Sequence, residues 1–451
     1  MTDLEAYLLL EQKVNNIGEP TIYGVPIWKL VRTQFRWKYR DTRPFTVNPN
    51  IQIGEIAKNS WISIVGITRL FLSRKKYANV FFPHPRLFYV NEKYMERFSD
   101  SLIESAGMQN SSIIFERHQN GIHKRPRYHS ELVVYLDVID NLTRFLSPLV
   151  KIWIKKKYKT PVHDLYERLN GVFYLNDTSY IDLFYSIVTQ FVISRWLISP
   201  ILKCLSPQRV LFAPRGTYDY AVSICKKEGI TTIELEHGIV LGKTDLYTGS
   251  YDKRIDPDYF FVFGKDNVGE QYGMPLDRVI DVGFPFKNYV YGVNHTDFGD
   301  KTILVISEPG ITDKIINVLI EITQKYPEYN FHIRCHPQEK MSNDQLEKIS
   351  EFENIEVVDN KIESFTALNQ YKTIIGEISS VLFEAMSLHK KVGRLNFGGL
   401  VSKETEQLHG GTKINSPQEF DQFMKSPYND ENDSKDLYSD FQREALNIVG
   451  L

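Results

Sequence analysis

Short runs of apolar residues, each four to six long and most closed by a polar, glycine or proline residue, recur through the first two thirds of the chain. They are ANVFFPHPR (78–86), SSIIFERH (111–118), RVLFAPR (209–215), TTIELEHG (231–238) and DYFFVFG (258–264). Helix-like segments lie between several of them, so this stretch predicts an open parallel sheet with helices on both faces. The rhythm restarts further on with TILVIS (302–307), FHIRCHP (331–337), IEVVD (355–359), KTIIGE (372–377) and KVGRLNF (391–397), most separated by helical patterns such as DKIINVLIEITQKY (313–326). The fold class expected is α/β, with two doubly wound domains facing a cleft. The first covers 77–285 and carries a helical insertion at about 128–205; the second covers 301–415. The Gly- and Asn-rich stretch at 286–300 reads as the linker, and 416–451 as a helical tail with a solvated loop, NDENDSKD (429–436), inside it.

Residues 1–76 read as amphipathic helices, and two parts are unusually basic and aromatic: WKLVRTQFRWKYR (28–40) and WISIVGITRLFLSRKK (61–76). A third is LVKIWIKKKYK (149–159). Aromatic rings interleaved with Lys and Arg suit an anionic membrane surface. The plainer alternative is a solvated basic face held to the domain by its aromatics.

Composition narrows this picture. A chain of 451 residues exceeds what one hydrophobic core usually supports, so two domains are the default. A net charge of −2 gives no overall attraction to nucleic acid, and no nucleic-acid motif is present, so no such partner is expected. Cys204, Cys225 and Cys335 are widely spaced, which fits a reducing compartment and neither a disulfide framework nor a metal site. The start, MTDLEAYLLLEQK, lacks a signal-peptide layout. The longest apolar stretch, FVISRWLISPILKCL, is interrupted by Arg195 and Pro200. The expected location is cytoplasmic, with peripheral contact to the inner face of the membrane. Neither half carries G-x-G-x-x-G after its first strand, and G-x-x-x-x-G-K-[ST] is absent.

Ligands of open α/β sheets bind at the carboxyl ends of the strands. In the first half those ends supply His84 and Arg86, Glu116 to His118, Arg215, and Glu236 with His237. In the second they supply Ser307 to Gly310, Arg334 with His336, and Glu377 with Ser379 and Ser380. GEISSVLFEAM (376–386) reads as strand, loop and helix, with the two serines where an N-cap belongs. A helix N-terminus with two hydroxyls is also a phosphate site, and an imidazole at His336 would offset the charge.

RCHP (334–337), ISSVLFEAM (378–386) and EHG (236–238) together resemble the set found in GT-B glycosyltransferases, built of two Rossmann-like domains, that use CMP- or CDP-linked donors. The likeness is to bacterial Kdo transferases of capsule and lipopolysaccharide assembly, and to the CDP-glycerol polyol-phosphate transferases of wall teichoic acid. It covers about residues 205–400. Two departures stand out. The polyol-phosphate enzymes tend to have Asp and an aromatic before the serines, where this chain has Gly376, Glu377 and Ile378. They usually have Gln or Asn before the His-Gly, where this chain has Glu236.

The resemblance implies that Ser379, Ser380 and the following helix hold the donor phosphate with His336 and Arg334, that Glu384 contacts the ribose, and that Glu308 and Gly310 lie near the phosphates. His237 then faces the anomeric centre or the acceptor hydroxyl. Glu236 is the alternative base, with His237 orienting the donor. Arg215, His84 and Arg86 are candidates for the acceptor. No D-x-D closes a strand, so no metal is expected, and no cofactor beyond the nucleotide-sugar co-substrate. The partners expected are that donor, a lipid-linked or oligosaccharide acceptor, and an anionic membrane surface. Three alternatives stay open: transfer of a polyol phosphate from a CDP-polyol, 2-epimerisation of UDP-N-acetylglucosamine, and a non-enzymatic glycan-binding protein at the membrane.

Overall fold

The computed structural model describes residues 3–15, 20–40, 53–119, 121–175, 177–240, 246–247, 249–290, 297–308, 310–336, 339, 341–358, 364–377, 379–396, 411–427 and 437–451. The chain divides into two compact units. Unit 1 is Met1–Phe263, Val268–Pro285 and Phe441–Leu451; unit 2 is Gly264–Asn267 and Phe286–Asp440. Within the stretch read as a linker, 291–296 fall outside the described residues, as does the NDENDSKD loop.

Unit 1 is built on a seven-stranded sheet of β1 (Asn79–Phe82), β2 (Ser112–Glu116), β3 (Val133–Tyr135), β4 (Arg209–Phe212), β5 (Thr231–Leu235), β6 (Tyr259–Val262) and β7 (Val279–Asp281). Every pairing is parallel, and the order across the sheet is β7-β6-β5-β4-β1-β2-β3. Val80 lies opposite both Ile113 and Val210, so the sheet centre is aliphatic on each side. All residues of β1 and β2 are buried, as strands covered on both faces require. Right-handed crossovers send the helices on either side of β1 and β4 to opposite faces, and the direction of winding reverses between those two strands.

The helices of unit 1 are α1 (Asp3–Asn15), α2 (Ile27–Tyr39), α3 (Ile53–Ser73), α4 (Ser99–Ala106), α5 (Asp137–Lys157), α6 (Lys159–Phe173), α7 (Ser179–Leu205) and α8 (Asp219–Glu228). The basic-aromatic segment at 28–40 is α2, and its Trp28 and Phe35 are core residues, Phe35 meeting Phe173 edge-on at 5.1 Å. By length and apolarity α7 alone among the described residues would pass for a membrane span. Over half of that apolar stretch is buried within the protein, and the helix packs against α5, α8, α2 and α6.

Unit 2 repeats the plan with six parallel strands: β8 (Thr302–Ile306), β9 (Asn330–Arg334), β10 (Ile355–Val357), β11 (Thr373–Gly376), β12 (Lys391–Leu395) and β13 (Thr412–Ile414). Their order, β10-β9-β8-β11-β12-β13, places the reversal between β8 and β11. Its helices are α9 (Lys287–Val290), α10 (Thr312–Lys325), α11 (Asn343–Ser350), α12 (Ser364–Gln370), α13 (Ser380–Ser387) and α14 (Pro417–Lys425). Local chemistry sets their starts. Ser342 and Gln345 form a reciprocal capping box on α11, and Ser416 caps α14 ahead of Pro417.

The two doubly wound α/β sheets expected from the apolar runs are present, and all ten runs are strands. The differences are at short elements. The helical insertion begins at Asp137, because Val133–Tyr135 ahead of it pairs with β2. Val279–Asp281, not among the runs read as strands, is the edge strand β7. The final segment divides: Phe420 and Phe423 of α14 join the core of unit 2, whereas Arg209 in unit 1 donates to the carbonyl of Val449 (2.8 Å).

Candidate functional site

The reversal between β1 and β4 puts the residues after those strands, 83–86 and 213–217, side by side. Tyr218 fixes the arrangement from below, its buried hydroxyl donating to the carbonyl of Pro83 (2.7 Å). A cavity of about 610 Å³ opens there. Its floor is His84, Pro214, Gly216 and Thr217, and one side is Arg117 and His118 after β2. Asp140, Thr143 and Arg144 of α5 and Gln190 and Ser194 of α7 form the far wall, so the insertion encloses a pocket the sheet alone would leave open. The lining mixes amide, hydroxyl, imidazole, guanidinium and carboxyl groups with a few apolar side chains.

Three strand-end histidines share one property. Nδ1 of His84 accepts from the backbone N–H of Arg86 (3.2 Å), and Nδ1 of His118 from that of Gly121 (2.9 Å). Nδ1 of His237 lies 2.9 Å from the hydroxyl of Tyr247. That phenol is buried, its pKa raised well above the usual value chiefly by burial, and it keeps its proton. A buried O–H left undonated is costly, so Tyr247 donates to His237. Each imidazole therefore carries its proton on Nε2. Burial is the main cause that lowers all three pKa values, to about 3 for His84 and about 4 for His237. At neutral pH they are uncharged N–H donors.

Glu236 is fully buried. Its carboxylate accepts from the backbone N–H of Phe263 (2.8 Å) and the hydroxyl of Tyr272 (2.9 Å), so it ties the end of β5 to the end of β6. Both oxygens accept hydrogen bonds from within the protein, so the carboxylate holds the two strand ends together. Arg215 is turned inward as well. Its Nε donates to Glu234 (2.6 Å) and its Nη1 to the carbonyl of Tyr272 (3.2 Å). Arg144, which lines the pocket, is exposed. Arg86 is exposed, and its guanidinium lies over the Phe88 ring.

Sequence reasoning passed over Asp219. It opens α8, lines the pocket, and accepts from the backbone N–H of Gly216 (3.0 Å). Burial, reinforced by Asp256 and Glu234, pushes its carboxyl up to about 7 against the opposing pull of Gly216 N–H and Arg215. The signal available was its place, four residues beyond Arg215 at a helix start.

In unit 2 the reversal gathers Ser307 and Glu308 after β8 with Glu377, Ser379 and Ser380 after β11. The backbone N–H of Ser307 donates to the carbonyl of Arg334 (3.0 Å), which brings the end of β9 alongside. Arg334 is buried and His336 half-buried. Ser379 caps α13, its Oγ accepting from Val381 N–H at 3.5 Å; Ser380 is exposed at the first turn and Glu384 is buried one turn on. The pKa of Glu308 is raised, first by burial and then by Glu377 and Glu339, with a hydrogen bond to Ser379 opposing. Carboxylates and hydroxyls at this end suit the hydroxyls of a ribose, and the α13 terminus with Arg334 and His336 suits a phosphate.

Two glycines are explained differently. Gly376 ends β11 so close to β8 that a Cβ would stand 2.9 Å from the carbonyl oxygen of Ile306. No side chain fits there, which accounts for the absence of an Asp at this position. Gly310 has φ +90° with open space around it, so the turn requires the glycine, whereas no close neighbour does. Among the described residues no cluster of His, Cys, Asp and Glu is placed to hold a metal ion.

No family model matches the chain, and no curated protein matches it. Solved structures do. The UDP-GlcNAc 2-epimerase of Methanocaldococcus jannaschii matches over 83% of this chain and 98% of its own, at 12% identity and TM-score 0.48. The epimerase of Neisseria meningitidis bound to UDP-GlcNAc matches over 83% and 99%, at 13% identity and TM-score 0.46. The glycotransferase of kitacinnamycin matches over 83% and 96%, at 11% identity and TM-score 0.43. At these identities and scores the likeness transfers neither substrate nor reaction to this chain.

Proposed function

We propose that the protein is a glycosyltransferase that moves a sugar from a nucleotide-activated donor, CMP- or CDP-linked, to a growing bacterial surface glycan. The observation that carries this reading is the polar cavity of about 610 Å³ at the strand-order reversal of unit 1, in addition to the group of residues at the corresponding reversal of unit 2. A group transfer needs a place for each of two substrates; an epimerisation needs a place for one.

In this reading the acceptor occupies the unit 1 pocket and the donor nucleotide the ends of β8, β9 and β11. The acceptor hydroxyl gives its proton to the Asp219 carboxylate as its oxygen bonds to the anomeric carbon. The bond from that carbon to the donor phosphate breaks, and the nucleotide leaves with the electron pair. A base with a pKa near 7 is matched to work at neutral pH. His84 and His237 donate Nε2–H to substrate oxygens, and Glu236 positions the β5 end that carries His237. Ser379, Ser380 and the start of α13 hold the leaving phosphate with Arg334 and His336, and Glu384 takes the ribose. Preorganised donors of this kind act on charge that develops during transfer. The scheme uses no divalent metal.

The test is a thermal-shift panel of CMP, CDP, UDP and GDP, followed by assay of nucleotide release from CMP-Kdo, CDP-glycerol and UDP-N-acetylglucosamine with EDTA present. A ligand that binds only the folded form raises its stability. Stabilisation by CMP or CDP and release of CMP from CMP-Kdo supports the proposal. Conversion of UDP-N-acetylglucosamine to its 2-epimer without an acceptor would overturn it.

A further inference from the structure

Helix α5 is amphipathic in the reverse sense to an ordinary surface helix. Its polar side chains point inward: Asp140 pairs with Arg117 (2.6 Å), Thr143 meets Ser194 (3.4 Å), and Lys151 bonds Asp182 and Ser186 (2.8 Å each). Ile139 and Ile154 are buried in the core, but a row of the helix's other apolar side chains points out. Leu142, Phe145, Leu149 and Ile152 follow the three- and four-residue spacing of one stripe, and Phe145, Leu149 and Ile152 are 74, 66 and 70% exposed. Contiguous exposed apolar surface of this kind marks an interaction site.

The chemistry around the stripe selects its partner. It ends at Trp153, whose ring lies 5.8 Å from that of Trp196 on α7; the Trp196 indole N–H donates to the hydroxyl of Tyr23 (2.8 Å). All three rings are partly exposed. Lys157 sits 4.7 Å from the centre of the Trp153 ring, and Lys155, Lys156 and Lys159 are exposed beside it. Residues 141–163 contain six Lys or Arg and no Asp or Glu. A second copy of this face would set cations against cations. An apolar stripe running into aromatic rings and lysines matches the boundary between the headgroups and acyl chains of an anionic bilayer.

We infer that the outer face of α5, extended by Trp153, Trp196 and Tyr23, is a docking surface for a membrane that carries anionic lipid. The exposed stripe of Leu142, Phe145, Leu149 and Ile152 enters the acyl boundary, the rings lie at headgroup depth, and Lys156, Lys157 and Lys159 pair with lipid phosphates, whereas Lys155 already pairs with Asp182 (3.1 Å). The same helix supplies Asp140, Thr143 and Arg144 to the unit 1 cavity, so docking brings that cavity to the membrane surface. The inference stands whether or not the chain is a transferase.

The experiment is co-sedimentation of the full chain with vesicles of phosphatidylcholine alone and of phosphatidylcholine with phosphatidylglycerol, at 0.1 and 0.5 M NaCl. Three proteins are compared: wild type, Phe145→Ser/Leu149→Ser/Ile152→Ser, and Lys156→Gln/Lys157→Gln/Lys159→Gln. The substituted side chains are exposed, and circular dichroism melts of each variant confirm folding. The wild type is expected to bind the anionic vesicles at least tenfold better than the neutral ones, with loss in high salt. Each triple variant is expected to bind at least tenfold more weakly. Equal binding to both vesicles, no binding to either, or binding untouched by both triples would overturn the inference. So would a wild-type dimer in sedimentation velocity that the serine triple converts to monomer, since the face would then be an interface between copies.

Discussion

The imidazoles of His84 and His237 lie ring on ring, centroids 5.6 Å apart and planes 14° from parallel, although β4 runs between the strands they follow. Two protonated rings could not share that space, and His237 is the second largest cause, after burial, of the low pKa of His84. Replacing His237 by Asn should therefore raise the pKa of His84 from about 3 towards 6.5. Long-range ¹H–¹⁵N NMR at pH 7 should show both rings as the Nε2–H tautomer in the wild type. A folded-state pKa below the unfolded value means the stability from these rings is complete above about 6.5. It declines as pH falls through the values near 4 and 3. If His237 supplies a hydrogen bond to developing charge, His237→Ala should lower kcat by about 10²–10³ with the fold retained. A proton found on Nδ1 of His237 would contradict the donor assignment.

The roles proposed for Asp219, as base, and Glu236, as positioning carboxylate, are separable by substitution. Asp219→Asn should lower kcat by about 10²–10⁴ and remove an acidic limb near pH 7 from the rate profile. Glu236→Gln should leave that limb in place, because its effect runs through the hydrogen bonds to Phe263 and Tyr272. Glu236→Ala strands the buried Phe263 N–H and should cost about 1–3 kcal/mol of stability. A pH profile unchanged by Asp219→Asn would exclude it as the base.

The ends of β2 and β3 hold a buried network whose purpose is structural. His123 bridges Glu116 (Nδ1, 2.9 Å) and Asp137 (Nε2, 2.8 Å), and Arg127 bridges Glu116 (2.6 Å) and Asp100 (2.5 Å). Burial lowers the pKa of His123, but hydrogen bonds and charge from Asp137 and Glu116 prevail and raise it. The stability this contributes is full below the unfolded value of about 6.5 and is lost as pH rises through the higher folded value. His123→Ala should cost about 3–5 kcal/mol at pH 6, since it leaves two buried carboxylates without their shared partner. Urea unfolding of wild type and variant at pH 6 and pH 9 should show the gap between them narrowing at the higher pH.

Much of this was legible in the chain because parallel strands covered on both faces are uninterrupted apolar runs. β1, β2 and β8 could be read directly from NVFF, SIIFE and TILVI. β3, β7 and β13, of three residues each, carry too little periodicity to be told from a helix end or a loop. Strand-end chemistry was also legible as a list, since polar residues after an apolar run have few structural uses. Which of them face a ligand was not. Arg215 and Glu236 look as functional in sequence as His84, yet each is committed to a partner distant in the chain, Glu234 and Tyr272. Asp219 offered only its place at a helix start, because its raised pKa comes from burial, reinforced by Asp256 and Glu234, and only the fold supplies either.

Ser379 allows a last separation, between capping a helix and holding a ligand. Its Oγ accepts from Val381 N–H at 3.5 Å, at the limit of a hydrogen bond. A serine N-cap with good geometry contributes about 1 kcal/mol, so a bond this long contributes less. Ser379→Ala should therefore leave the urea midpoint of the unliganded protein nearly unchanged. A phosphate bound at the start of α13 makes the opposite demand, because it would draw on the same hydroxyl and on the backbone N–H groups that hydroxyl organises. At a nucleotide concentration of 100 times Kd, binding adds about 2.7 kcal/mol to stability, and a tenfold loss of affinity removes about half of that. The variant should thus show an almost normal melt alone and a halved response to the nucleotide that stabilises the wild type. A lowered melt with the full nucleotide response would make Ser379 a cap and nothing more, and would move the donor phosphate away from α13.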